Sequence, residues 1–280
     1  MSGKEKVKLG TVAAIGFDQF DPPEWLGLLR QLGCQVVQAY RNQERDVSLK
    51  EMQDAIAAGG MPCDSLHGLF GDQYDPSCPD EQVRRSAVET FKREADICLS
   101  LGGDLVVVHC STIRPEGITP QEHEIRINQL KKSIEELGEF GKSIGVRYAF
   151  ENLPAYHAIG SDVAELARVL REVAAPNTGM CFDTGHANMT GDPVQSLLSA
   201  GDTVIYVHLS DNSTQADEHE MITLGTIDAD TLARTFSKIG YEGTLMLETF
   251  YPADRLRQLL DSGISQRLSH LLSLANGQQD

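Results

Sequence analysis

The 280-residue chain is 41% hydrophobic with 25 Gly and 11 Pro, a composition that excludes a disordered or collagen-like chain and allows a sizeable core. Its 24 Lys plus Arg stand against 41 Asp plus Glu, a formal charge of −17, which argues against nucleic acid as a partner because such binding needs a basic footprint. No stretch approaches the ~18 consecutive apolar residues of a membrane span, so a soluble cytoplasmic protein with no membrane partner is expected.

At the start, Lys4, Lys6 and Lys8 before the apolar run 9–17 have the outline of a signal peptide. No small-residue cleavage site follows, and a first strand is the better reading. Apolar runs rich in Val, Ile, Leu and aromatics then predict strands at 8–16, 34–39, 63–67, 104–109, 146–151, 178–183, 203–208 and 243–248. Amphipathic stretches lie between them. Their starts are marked by Asp21-Pro22, Ser48-x-x-Glu51, Thr119-Pro120-x-Glu122, Ser161 before Asp162, and Asp228 before Ala229. Their stops are marked by Gly33, Gly102-Gly103, Gly145 and Gly240.

Eight alternations of strand and helix, with short connections and no linker, predict one domain over residues 1–280. The fold class is α/β, a (β/α)8 TIM barrel, with an open doubly wound sheet as the alternative. The six cysteines, Cys34, Cys63, Cys78, Cys98, Cys110 and Cys181, show no C-x-x-C spacing and are expected as reduced thiols.

Four of the later strands end on a polar residue: Phe150-Glu151, Phe182-Asp183, Val207-His208 and Leu247-Glu248. A charged or imidazole group at the end of a buried parallel strand is costly unless paired or metal-bound. In a barrel the C-terminal strand ends share one face, so the four would meet in one mouth. Three carboxylates crowded there repel unless a cation neutralises them. The oxygen-rich set with one imidazole suits a single divalent metal, with Mn2+ the first expectation and Mg2+, Co2+ or Zn2+ the alternatives. His67 and His109 end earlier strands at the same level, and His186 follows Asp183 by three residues, so all three are candidate substrate contacts. Arg41 and Arg114, just past strands on that face, are candidates to hold a substrate phosphate or carboxylate. Phe17, Phe20, Trp25 and Phe70 are candidate apolar walls.

Read together, Phe150-Glu151-Asn152, Phe182-Asp183-Thr184-Gly185-His186, Val207-His208-Leu209-Ser210-Asp211, Gly225-Thr226-Ile227-Asp228 and Leu247-Glu248 resemble the xylose isomerase-like barrel superfamily. Within it they are most similar to the sugar phosphate isomerase/epimerase group. The resemblance implies that Glu151, Asp183, His208 and Glu248 bind the metal. It implies further that Glu151 and Glu248 are the acid/base pair and that His186 touches a substrate oxygen. The implied activity is isomerisation or epimerisation of a small sugar, sugar phosphate or keto-polyol through an enediolate, with dehydration of a keto-polyol as an alternative. Two features depart from the ketose epimerases of the group: the loop 212–220 has no Arg, and Thr223-Leu224-Gly225-Thr226 replaces a Pro-Gly-Glu-Gly-like turn.

Endonuclease IV-like enzymes of the same superfamily are the rival. By that resemblance His67 and His109 would hold one ion, Asp183, His208 and Glu248 a second, and His186, Asp217 and His219 a third, with Glu151 bridging. The net charge and the few cations of the mouth loops weigh against it. A homodimer or homotetramer through the outer helices is compatible with this class of barrel.

Overall fold

The structure is a computed structural model that describes residues 6–278. Its strands are β1 (Val7–Ile15), β2 (Val36–Arg41), β3 (Cys63–His67), β4 (Leu105–His109), β5 (Arg147–Glu151), β6 (Thr178–Asp183), β7 (Val204–Leu209) and β8 (Gly243–Leu247). They pair in parallel in chain order, and β8 closes on β1, making a (β/α)8 TIM barrel. The strand segments are nearly continuous apolar runs because both faces are covered: helices pack outside, and side chains fill the inside.

The helices are α1 (Pro22–Gln31), α2 (Leu49–Gly59), α3 (Glu81–Leu101), α4 (Pro120–Ile144), α5 (Val163–Val173), α6 (Thr184–Thr190), α7 (Pro193–Ala200), α8 (Ala229–Lys238), α9 (Ala253–Asp261) and α10 (Ile264–Ala275). Two units thus carry a helix more than the simple alternation predicts, after β6 and after β8. The caps act as read: Asp21, Ser48, Thr119 and Asp228 accept from backbone N–H groups in the first turn. The start of α5 is the exception, since Asp162, not Ser161, is the capping residue. Gly102 and Gly145 end α3 and α4 in the left-handed conformation that a side chain resists.

The second strand is displaced from its expected position at 34–39. Cys34 is used in leaving α1, its N–H bonding Leu29 O; Gln35 N–H already bonds Leu9 O of β1, and the strand runs from Val36 on through Tyr40 and Arg41. All six cysteines are free thiols, and no helix among the described residues is long and apolar enough to cross a membrane.

Alternation along each strand builds the barrel interior in layers. Asp183 pairs in register with His208, and Glu151 with Cys181; Ala149, Cys181 and Tyr206 lie two residues before Glu151, Asp183 and His208 on the same strands. Below the site, Ser65 Oγ and Tyr206 Oη are 2.6 Å apart, a link across the interior between β3 and β7.

Glycines on α4 let that helix approach the sheet. A Cβ on Gly141 would stand 2.4 Å from Val146 O, whereas one on Gly27 of α1 meets nothing within 4 Å. Gly141→Ala is therefore expected to destabilise the protein by about 1–3 kcal/mol through overpacking. Gly27→Ala is expected to stabilise it by up to about 1 kcal/mol. Urea midpoints of the two variants test the contrast.

Candidate functional site

The four strand-end residues converge. One ligand atom each from Glu151, Asp183, His208 and Glu248 lie within 4.8 Å of one another, and all four residues are buried. Glu151, Asp183 and His208 are held by β5, β6 and β7, and Glu248 is the first residue past β8, its N–H bonded to Leu209 O. His208 Nδ1 lies 2.8 Å from Glu151 Oε1, 3.0 Å from Glu248 Oε2 and 3.9 Å from Asp183 Oδ2. Glu151 Oε2, Asp183 Oδ2 and Glu248 Oε2 are nonetheless buried without a hydrogen-bond partner. Asp183 Oδ2 and Glu248 Oε2 lie beside His208 Nδ1, while Glu151 Oε2 faces His109 and His67; orphaned carboxylate oxygens around an imidazole fit a divalent cation.

The proton distribution reflects the crowding. Burial, reinforced by the charges of Glu248 and Glu151, pushes the Asp183 carboxyl well above the usual carboxylate range. Burial opposes ionisation of Glu151 as well, but His208, His109 and His67 hold it well below that range. Glu248 is likewise lowered against burial, by His208 and then His219.

Asn152 fixes this arrangement from the backbone side. Its side chain accepts from Asp183 N–H at 2.8 Å and donates to Asp183 O at 3.0 Å. Asp183 also caps α6, accepting from His186 N–H at 2.7 Å, so the Asp-Thr-Gly-His run turns a strand end directly into a helix start. The Leu-Ser-Asp run has a structural use. Asp211 is buried and accepts from the N–H groups of Asn212, Thr223, Thr226 and Ile227, pinning the loop after β7. Gly225 has no room for a side chain, since its Cβ would come 2.3 Å from Asp211 Oδ1.

A cavity of about 600 Å³ opens above the cluster. His67, His109, His186 and Arg114 all line it, as do Asp217 and His219 from the pinned loop. His67 Nε2 and His109 Nε2 lie 3.7 and 3.2 Å from Glu151 Oε2. His186 is more occupied than its sequence context indicates: Nδ1 is 2.8 Å from Asn152 O, and Nε2 is 3.2 Å from Asp217 Oδ2. Burial opposes its protonation, yet Asp183, Asp217 and Glu151 raise it to about 10, so it is an imidazolium.

Arg41 does not reach the cavity. Glu94 on α3 binds it at 2.6 Å, with both side chains largely buried. Arg114 does, stacked over the Tyr156 ring at 4.4 Å with Nη1 on Tyr156 O. Of the expected apolar walls, Phe70 lines the cavity, Phe17 and Phe20 line an adjoining groove, and Trp25 is buried behind them. Tyr40, Asp72, Thr112, Pro154, Tyr156, His157 and Phe250 also line it and were not singled out from the sequence. Cys181 also escaped notice, although it lies within 4.8 Å of Glu151 and His208; its place two residues before Asp183 is the signal that would have put it in the barrel interior.

This geometry agrees with the similarity to known proteins. The sequence matches the family described as xylose isomerase-like TIM barrel over residues 11–266. The chain belongs to that family. It is 30% identical over 187 residues to an uncharacterised protein of Methanocaldococcus jannaschii, covering 65% of this chain but only 63% of that protein. It is 23% identical over 224 residues to the ketose 3-epimerase of Arthrobacter globiformis, covering 79% and 75% of the two chains. Against the probable endonuclease 4 of Methanoculleus marisnigri it is 25% identical over 230 residues, covering 73% and 79%. An inosose isomerase and an inosose dehydratase are further relatives within the family. The crystal structure of D-allulose 3-epimerase from Methylomonas sp. with D-allulose superposes with a TM-score of 0.75 at 17% identity. It covers 100% of this chain and 99% of that one, a likeness of fold.

One titration is separable from the ligand cluster. Burial, followed by the charges of His109, Arg114 and His186, lowers His157 to about 4, so the folded chain holds it neutral. Its unfolded value is about 6.5, so the unfolded chain binds more protons between pH 4 and 6.5 and stability falls as pH drops through that window. His157→Gln is expected to remove this part of the acid sensitivity. Between pH 7.5 and 4.5 the urea midpoint of the chelated wild type should fall further than that of the variant.

Proposed function

We propose that this protein is a divalent-metal-dependent isomerase or epimerase of a small polyhydroxy carbonyl compound: a sugar, a sugar phosphate or a keto-polyol. The observation that carries the reading is that Glu151, Asp183, His208 and Glu248 bring ligand atoms within 4.8 Å of one another, with Asp183 Oδ2 and Glu248 Oε2 orphaned beside His208 Nδ1. Glu151, Asp183, His208 and Glu248 would hold one divalent metal, Mn2+ by preference for an oxygen-rich donor set. When bound, such a cation polarises a carbonyl and acidifies the adjacent C–H.

Glu151 and Glu248 flank Asp183 and His208, which come from the two strands between them. A planar carbonyl compound seated over the four therefore has a glutamate on either side. One removes the proton and the other returns it, to the same carbon for epimerisation or to the neighbouring carbon for isomerisation. His186, fixed as an imidazolium by Asn152 and Asp217, orients a substrate oxygen by sharing its Nε2–H with Asp217. His67 and His109 offer further contacts, and among the described residues Arg114 is the one Lys or Arg that lines the cavity.

In D2O with a panel of ketoses, sugar phosphates and inososes, the Mn2+-loaded protein is expected to place deuterium on the carbon next to the carbonyl, as read by NMR. Glu248→Gln and Glu151→Gln should each slow this exchange by roughly 10²–10⁴-fold. Exchange in neither wild type nor variants across the panel would remove the reading.

Metal removal should also register in stability. With Mn2+ at about 100 times its Kd, the folded state gains about 2.7 kcal/mol. Asp183→Asn is expected to raise the thermal midpoint of the chelated protein, by removing the cost of burying a carboxyl that is ionised when unfolded, and to abolish most of the rise on adding Mn2+. Calorimetry with and without chelator tests both.

The second reading, a multinuclear phosphodiesterase like endonuclease 4, is favoured by one observation: His67, His109 and Glu151 also present ligand atoms within 4.8 Å of one another. The charge of −17 and the single cavity arginine weigh against a DNA substrate. Cleavage of an abasic-site duplex, with no deuterium exchange, would put that reading first.

A further inference from the structure

The cavity over the ligand cluster continues past its rim. Tyr40 and Phe250 form part of its wall and also part of the wall of a second groove of about 330 Å³. The rest of that groove is Phe17, Gln19, Phe20 and Pro252. Its rings form a connected set. Tyr40 meets Phe250 edge-on at 5.4 Å, Phe17 stacks on Tyr40 at 6.0 Å, and Phe20 lies 6.5 Å from Phe250. Among the described residues no charged side chain lines the groove, in a chain where charged residues make up 23%.

This wall is built into the fold. Gly16 turns the chain at φ +82°, where a Cβ would come 2.7 Å from Val47 Cγ2. Its carbonyl accepts from Asn42 Nδ2 at 3.1 Å, and Phe20 N–H bonds Phe17 O at 3.1 Å. Behind Phe20, at 4.5 Å between ring centres, Trp25 is buried with its indole N–H on Tyr251 O. The cavity alone, at about 600 Å³, is within the range of roughly 300–1,000 Å³ that encloses drug-sized ligands, so it exceeds the need of a lone monosaccharide.

We propose that the substrate is a keto-sugar carrying an aryl group, as in an aryl glycoside whose sugar ring holds a ketone; the aryl group leaves the cavity over Tyr40 and Phe250 and lies on Phe17 and Phe20, and simple glucosides serve as its non-reacting analogues. The proposal rests on the metal-site reading for where the polyhydroxy part sits. A planar ring gains burial and ring-to-ring contact there. A second sugar ring would also stack, but it brings hydroxyls that need partners, and the groove offers only the Gln19 amide and the Tyr40 phenol.

Trp25 is the sole tryptophan, and its contact with Phe20 makes its fluorescence a reporter of groove occupancy. Full-length protein, Mn2+-loaded and chelated, is titrated with methyl β-glucoside, phenyl β-glucoside and cellobiose. Phenyl β-glucoside should bind roughly tenfold or more tighter than the methyl compound and shift the Trp25 emission. Phe17→Ala should abolish that preference. Gln19→Glu, at an exposed position, should weaken the phenyl compound and keeps the test open if Phe17→Ala misfolds. Equal affinities, a preference for cellobiose, or a phenyl preference that survives both substitutions would overturn the proposal. So would a solution mass of two chains that falls to one in Phe17→Ala, because the groove would then belong to a second copy. Phenyl preference without deuterium exchange retains the groove and removes the isomerase reading; exchange without phenyl preference does the reverse.

Discussion

Three carboxylates, from Glu151, Asp183 and Glu248, are buried around one imidazole, and much of the upper half of the barrel is arranged to tolerate that. His208 Nδ1 stands 2.8 and 3.0 Å from two of them. Burial opposes a charge on His208, but Cys181, Glu248 and Glu151 raise it well above its ordinary range. Asp183, buried between the two glutamates in the ring of strand ends, is pushed the other way, toward its neutral acid. Both shifts act against the mutual repulsion of the carboxylates. A divalent cation at the same point would offset that repulsion and satisfy the orphaned oxygens. The cluster is costly as a folding element and makes sense as a ligand set.

Most of this was legible in the sequence because a parallel barrel strand has little freedom. Both faces are buried, so a Glu, Asp or His at its C-terminal end stands out against an apolar run, and the barrel brings all such ends to one face. Glu151, Asp183, His208 and Glu248 were visible for that reason, and His67 and His109 with them. The lining supplied by loops was harder to see. Tyr156 and His157 reach the cavity only because of how the chain turns after Asn152, and nothing in their spacing announces it. Tyr40 was lost with the displaced second strand.

Arg41 and Arg114 show the limit most clearly. In the sequence both are arginines just past a strand on the functional face. What separates them is Glu94, which binds Arg41 from a distant helix. Glu94 sits on the buried stripe of α3 with Phe91, Ala95 and Cys98, at helical spacing, so a carboxylate on an apolar face was the available signal. Its burial pushes its carboxyl upward, and Arg41 draws it back. The pair holds α3 to the end of β2. It keeps the Arg41 guanidinium out of the cavity.

The pinned loop after β7 links this electrostatic core to selectivity. Asp211 holds the loop through four backbone N–H groups, and an antiparallel bridge between Asp211 and Glu220 closes it. Between these two residues the loop delivers Asp217, which engages His186, and His219, which lies 3.9 Å from Glu248. Glu220 in turn bonds the Tyr251 hydroxyl, and Tyr251 is the neighbour of Phe250 at the groove. The loop therefore touches the charged floor at one end and the aromatic wall at the other. A loop tied down at both ends costs little further entropy when a ligand arrives. Its residues are placed before binding, so what the cavity accepts is decided by fixed geometry: polar and ionic beneath, aromatic toward Phe17 and Phe20.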